Sequence, residues 1–142
     1  DTITDPEDFR VSVGDAIAAD IRADIESRTK QAVQDAMRDV WQRVATLVGA
    51  MADKLKAYKP AAAKGERAEG IFRDSLVDNI RELLDMLPSL NIVGDPTLTS
   101  ITARMESLVR DDANVLRDNE SARKSVAAEA EAIAADVAQY IA

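Results

Sequence analysis

The sequence predicts an all-α fold: an elongated helical bundle built on one very long N-terminal helix, with a helical hairpin and an Ala-rich C-terminal helix. Three observations predict it. Nearly half of the 142 residues are apolar but aromatics are only 4%, so Ala and aliphatic side chains must build the core. Five Gly and four Pro are too little turn material for an all-β fold. From Asp15 to Lys59 nothing breaks a helix, although Gly49 costs roughly 1 kcal/mol relative to Ala. That segment alone would measure about 68 Å at 1.5 Å per residue. The length suits a single domain, residues 1–142, with one core. Within it, residues from 1 to about 31 are expected to protrude as a helical arm, and those from about 32 to 142 to form the bundle.

The first helix has two candidate starts. In "DPEDF", Asp5 is placed to cap, Pro6 to take the first helical position, and Glu7 and Asp8 to complement the dipole. In "SVGD", Ser12 and Asp15 have capping-box-like spacing, weakened by Gly14. Two apolar patterns follow. Phe9, Val13, Ile17, Ile21 and Ile25 recur every fourth residue, so each step overshoots a full turn by about 40°. After the polar run Glu26–Gln31, Val33, Met37, Val40, Val44, Leu47 and Met51 alternate steps of four and three, a heptad seam. Tyr58 continues it past an imperfect Lys54. The change of period predicts a bend, or a change of packing partner, at Glu26–Gln31.

The connector is "KPAAAKGERAEG", Lys59–Gly70. Phe72, Leu76, Ile80, Leu83, Leu84 and Leu87 then form one face of a second helix of about 22 residues, ended by Pro88. Gly94 can supply a positive φ and Asp95 can cap a third helix, whose face is Leu98, Ile101, Met105, Leu108 and Val109. "DDANVLRDN" reads as a short helical turn around Val115 and Leu116. Asp118 or Asn119 caps the last helix, whose expected stripe is Ala122, Val126, Ala130, Ile133, Val137 and Ile141.

Chemistry is limited by what is missing. There is no His and no Cys, which removes Ser-His-Asp and Cys-His nucleophile systems, the usual zinc sites and the helical Glu-x-x-His di-iron motif. Gly65 and Gly70 lack the spacing of a phosphate loop. No catalytic, cofactor or metal residues are therefore expected, and no enzyme. The net charge of −8 disfavours nucleic acid, whose binding needs Lys and Arg against phosphates. No run is long enough for a membrane span, and there is no signal peptide. The absence of Cys permits a cytosolic setting. The chain begins at Asp1 rather than Met, and reads as a fragment whose missing N-terminal part could carry function.

Asp20–Asp24 and Asp35–Asp39 are carboxylate pairs that could hold Mg²⁺ or Ca²⁺, but neighbouring Arg22 and Arg38 favour a solvated mixed-charge face. Trp41 beside the seam is either an interface anchor or ordinary core. Lys54, Lys56, Lys59, Lys64, Arg67 and Arg73 form a basic cluster, but four acidic residues among positions 51–75 leave an excess of only two.

"FRDSL", "LLDMLPSLNIVGDPTL" and "VLRDN" ahead of the Ala-rich last helix together resemble an uncharacterised family of phage and prophage proteins, often encoded near a MoxR-type AAA+ ATPase and a von Willebrand A-domain protein. The resemblance covers about Phe72–Ile141, and its most specific part is the Leu87–Pro96 junction. The family supplies no catalytic residues. Phe72, Arg73, Asp74, Pro88, Asn91, Gly94, Asp95 and Pro96 match it and read as architectural. The resemblance implies a phage-encoded partner or adaptor, acting with an ATPase in the host cytoplasm.

The expectation is a non-enzymatic interaction or scaffold protein that self-associates, a dimer being the commonest assembly. Its partner surface is Phe9, Val13, Ile17, Ile21, Ile25 and Trp41, and a phage-encoded or host protein is the rival occupant. The alternative is a nucleic-acid-associated phage protein using the Lys54–Arg73 cluster.

Overall fold

The structure is a computed structural model describing residues 6–141. Its elements are α1 (Pro6–Ala57), α2 (Ser75–Leu90), α3 (Pro96–Glu106), a 3₁₀ turn (Ser107–Val109), α4 (Ala113–Asp118) and α5 (Glu120–Ala138). The all-α class is as the sequence predicts. Contacts divide the chain into two units, Asp1–Ala36 and Met37–Ala142, a division later than the expected one near residue 31.

The described residues of the first unit, 6–36, belong to α1. The helix starts at Pro6, so Ser12 and Asp15 are internal rather than a cap; the expected cap, Asp5, lies outside the described residues. Helical structure continues through Glu26–Gln31, and every side chain of that run is exposed. Among residues 9–36 none is buried, and only Ala18 and Val33 reach partial burial.

The second unit holds the core. On α1 the buried residues are Met37, Val40, Trp41, Val44, Val48, Met51, Ala52 and Leu55. The seam therefore runs 37–41–44–48–51–55, still alternating four and three. Met37, Val40, Val44 and Met51 of the expected seam are buried, while Trp41, Val48 and Leu55 stand in place of Val33 and Leu47. Val40 and Ala52 widen it, because helices on both sides cover it: α2 shares a groove with Asp39, Arg43 and Leu47, and α5 reaches it through Tyr140 just past its end.

The hairpin is shorter than expected. Phe72 precedes α2, which has 16 residues, and α5 has 19. Pro88 sits inside the last turn of α2 and does not end it. Its missing N–H deprives only the Leu84 carbonyl of a partner, and the ladder resumes with Asn91 N–H donating to Leu87 O at 2.9 Å.

Asn91 then organises the reversal. Its Oδ1 accepts from the Asp95 N–H at 2.8 Å, and its Nδ2 donates to the Asp95 carbonyl at 3.1 Å. Gly94 takes φ 60°. Asp95 caps α3 by accepting from the Thr97 N–H at 2.9 Å. Leu98, Ile101, Met105 and Leu108 then face the core.

Asn119, not Asp118, caps α5, accepting from the Ala122 N–H at 3.0 Å. The buried stripe of α5 is Arg123, Ala127, Ala130, Ile133 and Val137. Ala122, Val126 and Ile141 are only partly covered, so the expected stripe was one residue out of register at its N-terminal end.

The connector closes on itself. Lys59 and Glu69 exchange backbone hydrogen bonds, each at 2.8 Å. This brings Gly70 (φ 63°) against the end of α1, where an added Cβ would collide with the Ala57 carbonyl oxygen and meet its carbon at 2.7 Å. Gly65 has φ 93° with open space around it. Gly65→Ala should therefore cost about 1 kcal/mol of conformational strain. Gly70→Ala adds a backbone clash to that strain and should cost several times as much. Urea unfolding of the two variants checks this; equal losses would mean that the Ala57–Gly70 approach is not tight.

Candidate interaction surface

The first half of α1 presents Phe9, Val13, Ile17, Ile21 and Ile25, each 40–63% exposed. All five sequence-predicted interface residues on this half are thus uncovered, on a ridge that winds about 160° around the helix from Phe9 to Ile25. Val11, also exposed, lies on the opposite side of the helix, because two residues turn it about 200°.

Two carboxylates of this half are engaged locally. Asp24 pairs with Arg28 at 3.1 Å, and Asp35 accepts from Gln31 Nε2 at 2.9 Å. Both are exposed i,i+4 contacts of the kind that decorates solvated helices. No group of three or more acidic side chains suited to a metal ion occurs among the described residues.

Trp41 does not belong with the ridge. It is 4% exposed and stacks on Tyr140, ring centroids 4.6 Å apart and planes 23° from parallel. Its indole is used inside the bundle, which corrects its assignment as an interface residue.

The basic cluster is also divided. Lys54, Lys59, Lys64, Arg67 and Arg73 are exposed, while Lys56 pairs with Glu131 on α5 at 2.5 Å. Such exposed charges contribute little to stability.

Sequence reasoning missed Arg123, the buried charged residue of the core. Its Nη1 donates to the carbonyls of Leu116 and Arg117 at 3.0 and 3.1 Å, at the end of α4. Its guanidinium lies 5.0 Å from the Tyr58 ring centroid. Tyr58 meets Phe72 edge-on at 5.2 Å, and Phe72 lies under Arg117 at 5.0 Å. Arg117 also donates to the Phe72 carbonyl and to Asp74 Oδ1, both at 2.8 Å. The ladder Arg117–Phe72–Tyr58–Arg123 joins the connector, α4 and α5. The signal available in the sequence was spacing: Arg123 lies four residues before Ala127 and seven before Ala130, on the same face.

A groove of about 760 Å³ runs beside this ladder, bordered by Lys56, Lys59 and Lys124 and by Asp118, Glu120 and Glu131. Lys124 hydrogen-bonds Glu120 and holds its carboxyl below the ordinary value. Elsewhere, a hydrogen bond from Arg104 to Asp136 holds that guanidinium above its ordinary pKa. Both are surface ion pairs. Neither places a nucleophile beside a base.

No protein-family model, curated protein or solved structure matches the chain.

Replacing Arg123 by Leu should strip the Leu116 and Arg117 carbonyls of their charged donor and cost about 2–3 kcal/mol. Arg73→Leu, at an exposed position, should stay within about 0.5 kcal/mol of the parent. Chemical denaturation distinguishes them; a neutral Arg123→Leu would mean that water serves those carbonyls equally well.

Proposed function

We propose that the protein is a non-enzymatic helical interaction or scaffold protein that self-associates as a dimer through Phe9, Val13, Ile17, Ile21 and Ile25. The observation that carries this reading is the exposed ridge on a half-helix in which no residue from 9 to 36 is buried. A helix gains little stability from propensity alone and depends on packing an apolar face. A contiguous exposed apolar stripe marks an interaction site.

Magnitudes set the expected strength. Fully burying an aliphatic side chain yields about 1.5–3 kcal/mol, so covering the exposed half of each ridge residue yields roughly 1 kcal/mol. Ten such side chains across a pair give a gross gain of about 10 kcal/mol, comparable to the 4–15 kcal/mol cost of association. Even at the low end of that cost only about 6 kcal/mol remains, so the dimer is expected to be no tighter than tens of micromolar.

The resemblance of Phe72–Ile141 to prophage proteins encoded beside MoxR-type ATPases supports a wider reading. In it the dimer is a phage-derived adaptor that presents the bundle to such an ATPase in the host cytoplasm. Co-purification from infected cells tests that extension.

Light scattering at several hundred micromolar should give a mass approaching twice that of one chain. Ile21→Asp should return the mass to that of one chain and leave the unfolding of the Met37–Ile141 bundle unchanged. A monomeric parent with its N-terminal helix still ordered would overturn the dimer, leaving a phage-encoded or host protein as the occupant of the ridge. Loss of the whole fold in Ile21→Asp would assign Ile21 to the core instead.

A further inference from the structure

The ridge Phe9–Val13–Ile17–Ile21–Ile25 advances in unbroken steps of four. Such i±4 rows interlock at a right-handed crossing near −50°, whereas a seam alternating three and four gives the left-handed crossing of a coiled coil. The ridge is thus built for a crossed pair of helices.

The same step of four sorts the flanking residues. Those just before each ridge residue share one flank: Asp8, Ser12, Ala16, Asp20 and Asp24, which Arg28 continues by one further step of four. Those just after share the other: Arg10, Gly14, Ala18, Arg22, Glu26 and Lys30. The Asp24–Arg28 ion pair runs along the first flank. Around Ile17 both flanks carry only Gly or Ala, so a second helix can approach closely. Beyond Ile17, Asp20 and Asp24 make the first flank acidic, and Arg22 makes the second basic.

Two parallel copies set opposite flanks together, and two antiparallel copies set like flanks together. In the parallel pair Arg22 lies level with the gap between Asp20 and Asp24 of the other copy, and Glu26 with that between Asp24 and Arg28. The antiparallel pair centred on Ile17 sets Arg22 level with the gap between Arg10 and Gly14 and loses these contacts. The apolar ridge is indifferent to direction, so charge complementarity decides it.

We propose, on the basis of the self-association above, that a second copy of this chain covers the ridge in parallel orientation. The helices cross right-handed between Ile17 and Ile21, with Arg22 of each copy between Asp20 and Asp24 of the other.

The experiment is light scattering across a concentration series on the parent chain, Arg22→Glu, the double variant Asp20→Lys with Asp24→Lys, and an equimolar mixture of the two variants. All three positions are exposed, so the bundle stays folded. Each variant alone sets like charges together at both symmetric sites and should associate about tenfold more weakly than the parent. The mixture should recover parent-like association, because a parallel heterodimer restores opposite charges at both sites. Oxidation of Ile21→Cys, in a chain otherwise free of Cys, should link the two copies at the crossing. A dimeric parent whose variants dimerise equally well, or whose mixture recovers nothing, overturns the parallel arrangement and leaves self-association standing. A monomeric parent overturns both.

Discussion

Burial of one face of α1, from Met37 to Leu55, organises everything else that packs in this chain. Val44, Val48 and Met51 on that face are completely excluded from solvent. On α5, Ala127 and Ala130 are buried as well. A core so poor in aromatics gains from many small contacts rather than a few large ones. That is why the aromatics present are placed at joints. Trp41 and Tyr140 fasten the end of α5 to α1. Tyr58 and Phe72 fasten the connector as it leaves α1.

The connector itself has almost no core to hold it, and its order comes from polar and cation–π contacts. Two arginines clamp the Tyr58–Phe72 pair from either side. Each is also satisfied by backbone carbonyls, which makes burial of the Arg123 charge tolerable without a carboxylate partner. Together with the Lys59–Glu69 bridge, this fixes where α2 begins. Direction is then reversed a second time by the Asn91–Asp95 turn. Local interactions of short sequence range set the corners, and the apolar faces only have to close between them.

Much of this was legible in the sequence because it is local. The long uninterrupted helix, the Gly94–Asp95–Pro96 restart, the small helix around Leu116 and the cap at Asn119 all rest on chemistry within a few residues. What was not legible depended on neighbours distant in sequence. Trp41 has the same spacing whether it meets Tyr140 or another chain, and only the fold decides. Arg123 was passed over because a charged residue on an Ala-rich helix normally faces water; its carbonyl partners exist only once α4 folds back. Pro88 was read as a stop, although a proline near a helix end removes just one bond. On the candidate surface, spacing alone identified Phe9 to Ile25 as a ridge, and their exposure separates them from the seam that follows Met37.

The same helix therefore carries two faces of different fate: one closed within the chain, the other open. If a second copy closes the open one, the stability of the N-terminal half must depend on concentration, and that of the bundle must not. Amide hydrogen exchange measured across a dilution series reads both at once. Protection of the amides from Val11 to Gln31 should fall as the protein is diluted from hundreds of micromolar to below about ten, while protection from Met37 to Leu55 stays constant. Protection of the N-terminal half that is the same at every concentration would contradict the account.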